Sequence, residues 1–132
     1  MIVNGFQIGP DAHLAGVDLN NANLKNADLN QADLSFANLG AAILMNANLT
    51  NANLHFVILR LAKLYGANLT SADLRNAELI GADLRRANLT NADLRNADLR
   101  NADLTSANLT NANFEGARLD DADLDDDFWI NH

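Results

Sequence analysis

The side chains that could carry chemistry are three histidines and a C-terminal run of acids. His13, His55 and His132 are far apart in the chain, and no pair has the spacing of metal ligands. The acidic run DDADLDDD at 120–127 lacks the glycine and the terminal glutamate of an EF-hand calcium loop. We therefore expect histidines without a role and a solvated acidic cap, with adventitious cation binding or a basic partner as the alternatives for the acids.

Signatures of catalysis are also missing from the sequence. There is no nucleophile motif and no glycine-rich phosphate loop, because the seven glycines are scattered. Cysteine is absent, which excludes disulfides and thiolate metal sites. The four N-L-T triplets match the N-glycosylation sequon, a coincidence in a cytoplasmic protein. We predict that the protein is not an enzyme and that it binds no cofactor and no metal.

The net charge of −8 is unevenly distributed. Residues 115–132 contain seven acids and one base, whereas residues 61–114 contain six of each. A field of this sign disfavours direct binding to nucleic acid. The N-terminus lacks the basic and apolar regions of a signal peptide, and no stretch approaches the roughly 20 apolar residues of a membrane span. We expect a cytoplasmic protein without membrane contact.

A period of five residues organises the chain. Every fifth residue from Leu14 to Leu124 is Leu except Phe114, and two residues before each comes Ala, except Val17 and Val57. On an α-helix, successive leucines would turn by about 500° and form no face. On a strand they would alternate between faces. Each repeat must therefore be a short extended piece and a corner, with Ala and Leu turned inward.

The residue two positions after each Leu forms the corner. Among 23 repeats it is Asn nine times, Gly four times and Asp twice. These residues tolerate a positive φ and favour tight turns. Phe36, Ala41, Phe56 and Leu61 occupy the same position but should resist a positive φ. We predict that these four corners use a different turn type.

Four corners close a square circuit, so one coil should take 20 residues. Two polar series keep this spacing: Thr50, Thr70, Thr90 and Thr110, and Asn48, Asn68, Asn88 and Asn108. Residues 20 apart should lie one above another at about 4.8 Å, the spacing of neighbouring strands, and form side-chain ladders. Acids that stand two residues from an arginine, such as Asp73 and Arg75, should form surface ion pairs.

The repeats ADLRN at 92–96 and ANLTN at 87–91 follow an A-[D/N]-L-x-x pattern. Over about residues 11–126 the chain resembles the pentapeptide-repeat proteins, in particular compact, uninterrupted members common in cyanobacteria. The resemblance implies an all-β fold, the right-handed quadrilateral parallel β-helix, with four repeats in each coil. The handedness rests on the resemblance alone. The 23 repeats would then make about 5.75 coils of 20 residues.

Both ends of such a rod would expose leucines and unpaired strand edges, so caps are required. We predict an N-terminal cap at 1–10, the β-helix at 11–126 and a C-terminal cap or tail at 127–132. The apolar residues of the two caps are Ile2, Val3, Phe6 and Ile8, and Phe128, Trp129 and Ile130. Trp129 falls in the leucine register. It either plugs the last coil or belongs to an apolar end, ringed by acids, that forms a homodimer contact.

Several apolar residues fall outside the Ala and Leu register. They are Phe36, Ile43, Met45, Phe56, Ile58, Leu61, Tyr65 and Ile80. Folding with four repeats per coil gathers most of them in the second and third coils, on three adjoining faces. Contiguous exposed apolar surface usually marks an interaction site. We interpret the first seven as a candidate surface for a protein partner or for self-association. The alternative is local stacking, such as Phe36 on Phe56, with no partner.

The predicted function is a non-enzymatic structural or protein-interaction module whose specific role and partner the sequence does not name. The alternative follows from the resemblance, because some relatives are acidic rods that imitate DNA and bind gyrase. Such a regulator of a type II topoisomerase inhibits gyrase or protects it from quinolones. This chain has no projecting loop in its register, a neutral middle third and a short C-terminal module. These three features favour the interaction module.

Overall fold

In a computed structural model of the protein, the backbone of residues 1–132 and all side chains except those of Trp129 and Ile130 are described. Outside the repeats there are three short elements. They are β1 (Ile2–Val3), β2 (Phe6–Gln7) and the helix α1 (Phe128–Asn131). The strands β1 and β2 pair antiparallel, and the following Ile8 is buried against the first coil. The side chains of Val3 and Phe6 are partly buried on the same core, whereas Ile2 is exposed.

The repeats stack as coils of 20 residues. Parallel β-bridges join the residue before each Leu to the residue 20 positions later, without a break from His13 and Asp33 to Asp103 and Asp123. Each wall of the coil contains one bridge only, because the chain turns a corner in every repeat. The rod is therefore held by isolated parallel bridges and not by long strands. The predicted stacking of residues 20 apart is confirmed.

Four of the five backbone N–H groups in a repeat donate to backbone carbonyls, as the repeat around Leu84 illustrates. The N–H groups of Leu84 and Arg86 donate to the next coil, at 2.8 Å from Asp103 O and 3.1 Å from Thr105 O. The N–H of Asp83 donates to the preceding coil, and that of Ala87 donates across the corner to Leu84 O at 3.0 Å.

The fifth N–H, on the residue after each Leu, depends on a side chain. In most repeats it donates to Oδ1 of the Asn or Asp that precedes the Leu, as from Arg85 N to Asp83 Oδ1 at 3.2 Å. The same bond recurs from Thr90 N to Asn88 Oδ1 at 3.1 Å. Short polar side chains are suited to such local bonds to the backbone. This bond explains why the repeat carries Asn or Asp before its Leu.

The core is a column of Leu and Ala. The leucines of the five-residue register from Leu14 to Leu104 are at most 2% exposed, and Leu84 in the middle of the stack is fully buried. The inward assignment of the five-residue pattern is therefore confirmed. Toward the C-terminus Leu109, Phe114 and Leu119 are only partly buried, because no further coil lies beyond them.

The prediction of a different turn at four corners is wrong. Every fifth residue from Asp11 to Asp121 has a positive φ, and Phe36 (59°), Ala41 (53°), Phe56 (57°) and Leu61 (57°) are no exception. The N–H of Leu61, for example, donates to Ile80 O at 3.0 Å, as the N–H groups of the Asn corners do to their own coil neighbours. The stack fixes the geometry of each corner and overrides the preference of the residue.

Candidate functional site

An aromatic cluster stands on one corner of the rod. The rings of Phe36 and Phe56 are stacked, with centroids 5.1 Å apart and planes at 14°, and His55 meets Phe56 edge-on at 4.4 Å. The stack of Phe36 on Phe56 that the sequence suggests is present, but 62% and 45% of these residues stay exposed. Nδ1 of His55 is buried and accepts no hydrogen bond from the described residues. Stacking alone therefore leaves much of this apolar surface in water.

The other candidate residues lie on the next two walls. Leu61 is 65% exposed at the following corner, and Ile58 is half-buried on the wall between the two corners. Ile43, Met45 and Tyr65 are half-buried on the wall that follows the corner of Leu61, where Met45 lies in the same outward column as Tyr65. The structure thus brings the seven residues onto two adjoining walls and their corners, which we call one side of the rod. Phe36, Phe56 and Leu61 are the most exposed of the seven.

A groove of about 550 Å³ opens beside Leu61 on this side of the rod. Its apolar lining is formed by Met45, Leu61 and Tyr65, and Lys63, Asp83 and Arg85 supply its charges. Gly81 follows Leu61 in the corner column, and Leu61 leans over it. Because glycine has no side chain, the groove stays open at this point.

The charged groups around the groove are predominantly cationic. Arg85 donates from Nε and Nη2 to the two oxygens of Asp83, both at 2.8 Å, and this holds the pKa of the Asp83 carboxyl below its usual value. The guanidinium groups of Arg85 and Arg86 lie 5.7 and 5.9 Å from the ring of Tyr65. Among the described side chains, Lys63 and Arg86 are exposed and form no ion pair. Arg85 also approaches Asp103 of the next coil, with Nε 3.7 Å from Oδ2. With both acids counted against the three cations, the groove has a small local positive excess.

Acids elsewhere in the middle coils are neutralised by arginines. The predicted pairs Asp73–Arg75 and Asp93–Arg95 have Oδ2–Nη2 distances of 2.7 and 2.6 Å, which confirms that prediction. Arg75 also approaches Asp93 in the next coil at 3.8 Å. The hydrogen bonds from the arginines lower the pKa of the Asp73 and Asp93 carboxyls. The ion pairs stand two residues apart because this spacing places both side chains on one outer wall.

The Asn and Thr columns have a role that the sequence reasoning missed. Oδ1 of Asn48 accepts from the backbone N–H of Thr50 and from its hydroxyl, at 3.2 and 2.7 Å. Asn88 and Thr90 repeat this arrangement. The columns are regular, as predicted, but the asparagine mainly serves its own turn. The signal was the constant two-residue separation between Asn or Asp and the residue whose N–H it accepts.

The C-terminal end is covered in part by α1. Phe128 is buried, packs edge-on against Phe114 at 5.2 Å and stacks on His132 at 4.5 Å. Nε2 of His132 lies 3.3 Å from Leu109 O. The side chains of Trp129 and Ile130 lie outside the described residues, and with them the two interpretations of Trp129, as a plug of the last coil or as a dimer contact.

Among the described residues, no group of three His, Asp or Glu side chains is placed to hold a metal ion. The same part of the chain contains no helix that is both long and apolar enough to cross a membrane.

Comparison with known proteins identifies the family of this chain. The family model for pentapeptide repeats matches eight copies, at residues 11–46, 27–66, 59–91, 67–105 and 87–126. The chain belongs to the pentapeptide-repeat family. Pentapeptide-repeat proteins form right-handed quadrilateral β-helices, and the bridges between residues 20 apart in this chain agree with four five-residue repeats in each coil.

Three solved pentapeptide-repeat proteins are similar in sequence and structure. One from Nostoc PCC 7120 is 39% identical, with a TM-score of 0.64, over 76% of this chain and 83% of its own. One from the cyanobacterium Cyanothece 51142 is 37% identical, with a TM-score of 0.60, over 76% of this chain and 66% of its own. One from the Arabidopsis thaliana thylakoid lumen is 30% identical, with a TM-score of 0.58, over 89% and 74%. No curated protein matches the chain.

Proposed function

We propose that this pentapeptide-repeat protein is a non-enzymatic protein-interaction module, a right-handed rod of about 5.75 coils. Its docking surface is centred on Phe36, Phe56 and Leu61. The observation that carries the proposal is that these three large apolar side chains stand exposed at corners with a positive φ. A non-glycine residue in this left-handed conformation costs about 1–2 kcal/mol. Backbone strain kept without a compensating burial is characteristic of functional sites.

The same stretch also lacks two of the side-chain hydrogen bonds to the backbone that most repeats have. Ile43 and Ile58 stand before their leucines, where Asn or Asp accepts the fifth N–H of the repeat elsewhere. An isoleucine has no acceptor, so the N–H groups of Met45 and Arg60 lose this partner. Two departures from the repeat rule therefore coincide between residues 36 and 61.

The corner surface can be tested by restoring the commonest corner residue. The variant Phe36→Asn, Phe56→Asn, Leu61→Asn should keep the fold, because asparagine tolerates the positive φ. A matched control, Asn91→Ala, Asn96→Ala, Asn101→Ala, changes three regular corners and keeps the apolar surface. Affinity capture from extract of the source organism and sedimentation velocity should show that wild type and control retain a partner or self-association, and that the Asn variant loses it. Identical behaviour of all three proteins would refute the docking surface.

The topoisomerase alternative gains no support from the distribution of charge. In the middle coils Asp73, Asp83, Asp93 and Asp98 are each bonded to an arginine two residues later. Paired carboxylates cannot imitate the uncompensated charge of a phosphate backbone. We expect no change in gyrase supercoiling, with or without a quinolone, at excess protein. The cytoplasmic location stays a prediction, and one relative comes from a thylakoid lumen.

A further inference from the structure

The groove beside Leu61 combines apolar lining, cations and free backbone donors in one place. We propose that it binds an acidic peptide segment that carries at least one apolar side chain. The inference rests on the proposed function, because it names the chemistry of the partner that docks on this side of the rod. Its elements are the lining of the groove, the charge around it and the backbone N–H groups of two lining residues.

The lining of the groove suits an apolar side chain. Met45, Leu61 and Tyr65 form its apolar part, and its volume of about 550 Å³ is within the usual range of ligand sites. Leu61 is 65% exposed, so a bound side chain would remove much apolar surface from water. We infer that an aliphatic or aromatic residue of the partner occupies the space between Leu61 and Tyr65.

The charge of the groove selects an acidic partner. Lys63, Arg85 and Arg86 surround it. Arg85 is paired with Asp83 and Asp103, whereas Lys63 and Arg86 form no ion pair with the described side chains. This local excess of positive charge contrasts with the net charge of −8 of the whole chain. Complementary charge favours the correct partner and repels others. A basic segment would instead be attracted to residues 115–132, which hold seven acids and one base.

Two backbone N–H groups provide specific contacts for carboxylates. Met45 and Tyr65 line the groove and hold the position whose N–H donates to an Asn or Asp side chain in most repeats. The residues before their leucines are Ile43 and Lys63, which carry no acceptor. Among the described residues, no acceptor receives either N–H. An Asp or Glu of the partner can supply the missing acceptor, and Lys63 and Arg86 can bind the same carboxylate.

Fluorescence anisotropy with labelled synthetic peptides tests the chemistry of the ligand. The probe is a short peptide of alternating Asp and Leu residues, and its two controls alternate Lys with Leu and Asp with Ser. We expect wild type to bind the Asp–Leu peptide, more weakly as salt increases, and to bind both controls at least about tenfold more weakly. Equal binding of the Lys–Leu or the Asp–Ser peptide would overturn the proposal.

Variants of this chain test the residues. Lys63→Glu with Arg86→Glu should weaken binding of the Asp–Leu peptide about tenfold or more. Arg118→Glu, at an exposed residue near the C-terminal end of the rod, is the control for a charge reversal away from the groove, and it should bind as wild type does. Ile43→Asn restores the acceptor for the N–H of Met45 without a change of charge, and it should weaken binding about threefold or more. Thermal melts confirm that each variant is folded.

The outcomes separate this inference from the proposed function. If the charge-reversed variant binds the peptide as wild type does, the inference is wrong. The same holds if wild type sediments with phosphatidylserine vesicles and ignores the peptide, because the groove would then take anionic lipid. If cellular partners are lost in the corner variant but retained in the charge-reversed one, the inference fails and the docking surface stands. Loss of the partners in both variants supports the inference.

Discussion

The side chain of Leu61 lies over Gly81, the residue 20 positions later in the same corner column. A Cβ at Gly81 would come within 2.8 Å of Leu61 Cδ2, and Gly81 itself has a φ of +67°. The two residues are a matched pair, because the glycine leaves the space into which the leucine leans. This contact sets the shape of the groove.

Gly81→Ala should therefore act on the groove more than on the fold. Alanine at a positive φ costs about 1 kcal/mol, and Gly16→Ala, with a φ of +69° and open space around it, is the matched control for this backbone cost. Leu61 is flexible and can turn away, so both variants should lose similar stability in a denaturant titration. Only Gly81→Ala should change the affinity for the Asp–Leu peptide. A change with Gly16→Ala as well would contradict the role of Leu61.

The corner strain predicts a variant that is more stable than wild type. Leu61→Asn removes a leucine from a left-handed corner and should raise the free energy of unfolding by about 1 kcal/mol. The reciprocal change, Asn91→Leu at a regular corner, should lower it by a similar amount. Denaturant unfolding measures both. If Leu61→Asn were destabilising by more than about 1 kcal/mol, the leucine would serve the fold and not a partner.

Substitutions of leucine should reduce stability strongly in the core and only weakly at an exposed corner. Leu84→Ala should cost about 2–5 kcal/mol, because Leu84 is fully buried between two coils. Leu84→Asp should abolish cooperative unfolding by burying an unpaired carboxylate. Leu61→Asp, at an exposed corner, is the control that introduces the same charge. An unchanged melting temperature of Leu84→Asp would refute the inward assignment.

The Asp–Arg pairs predict an acid-labile contribution to stability. Hydrogen bonds from Arg100 hold the pKa of the Asp98 carboxyl below its usual value. A carboxyl with a lowered folded pKa stabilises the fold above its unfolded pKa, about 3.9, and loses this effect as the pH falls through the folded pKa. Arg100→Gln should therefore reduce the melting temperature near neutral pH and leave it unchanged at the lowest pH. Arg86→Gln, which breaks no ion pair among the described residues, should show no such difference.

The helix α1 predicts local fraying at one end of the rod. Phe128→Ala removes the ring that packs on Phe114 and His132, so the last coil should open more often. Hydrogen exchange should accelerate in residues 104–124 and stay unchanged around Leu49, because each coil contacts only its neighbours. Faster exchange along the whole rod would show that the coils unfold as one unit.

Periodicity let the sequence predict the architecture. Leu in every fifth position from Leu14 to Leu124, with Phe114 as the one exception, excludes both helix and strand, and the 20-residue series of Asn and Thr gives the coil. The buried leucines and the bridges between residues 20 apart confirm both. The Asp–Arg pairs were predictable too, because side chains that are two residues apart lie next to each other on the same outer wall. These features depend only on the spacing of residue types along the chain, which can be read directly from the sequence.

The tertiary structure decided what depends on neighbours in space. Phe36 and Leu61 have a positive φ against their local preference. Hydrogen bonds to the next coil fix the geometry of the corner whichever residue occupies it. The groove beside Leu61 depends on a glycine 20 residues away and on where the leucine leans. The donor role of the Met45 and Tyr65 N–H groups became visible only through the bonds that other repeats make. A sequence reports which residue breaks a pattern, and only the folded chain shows which physical interaction is lost with it.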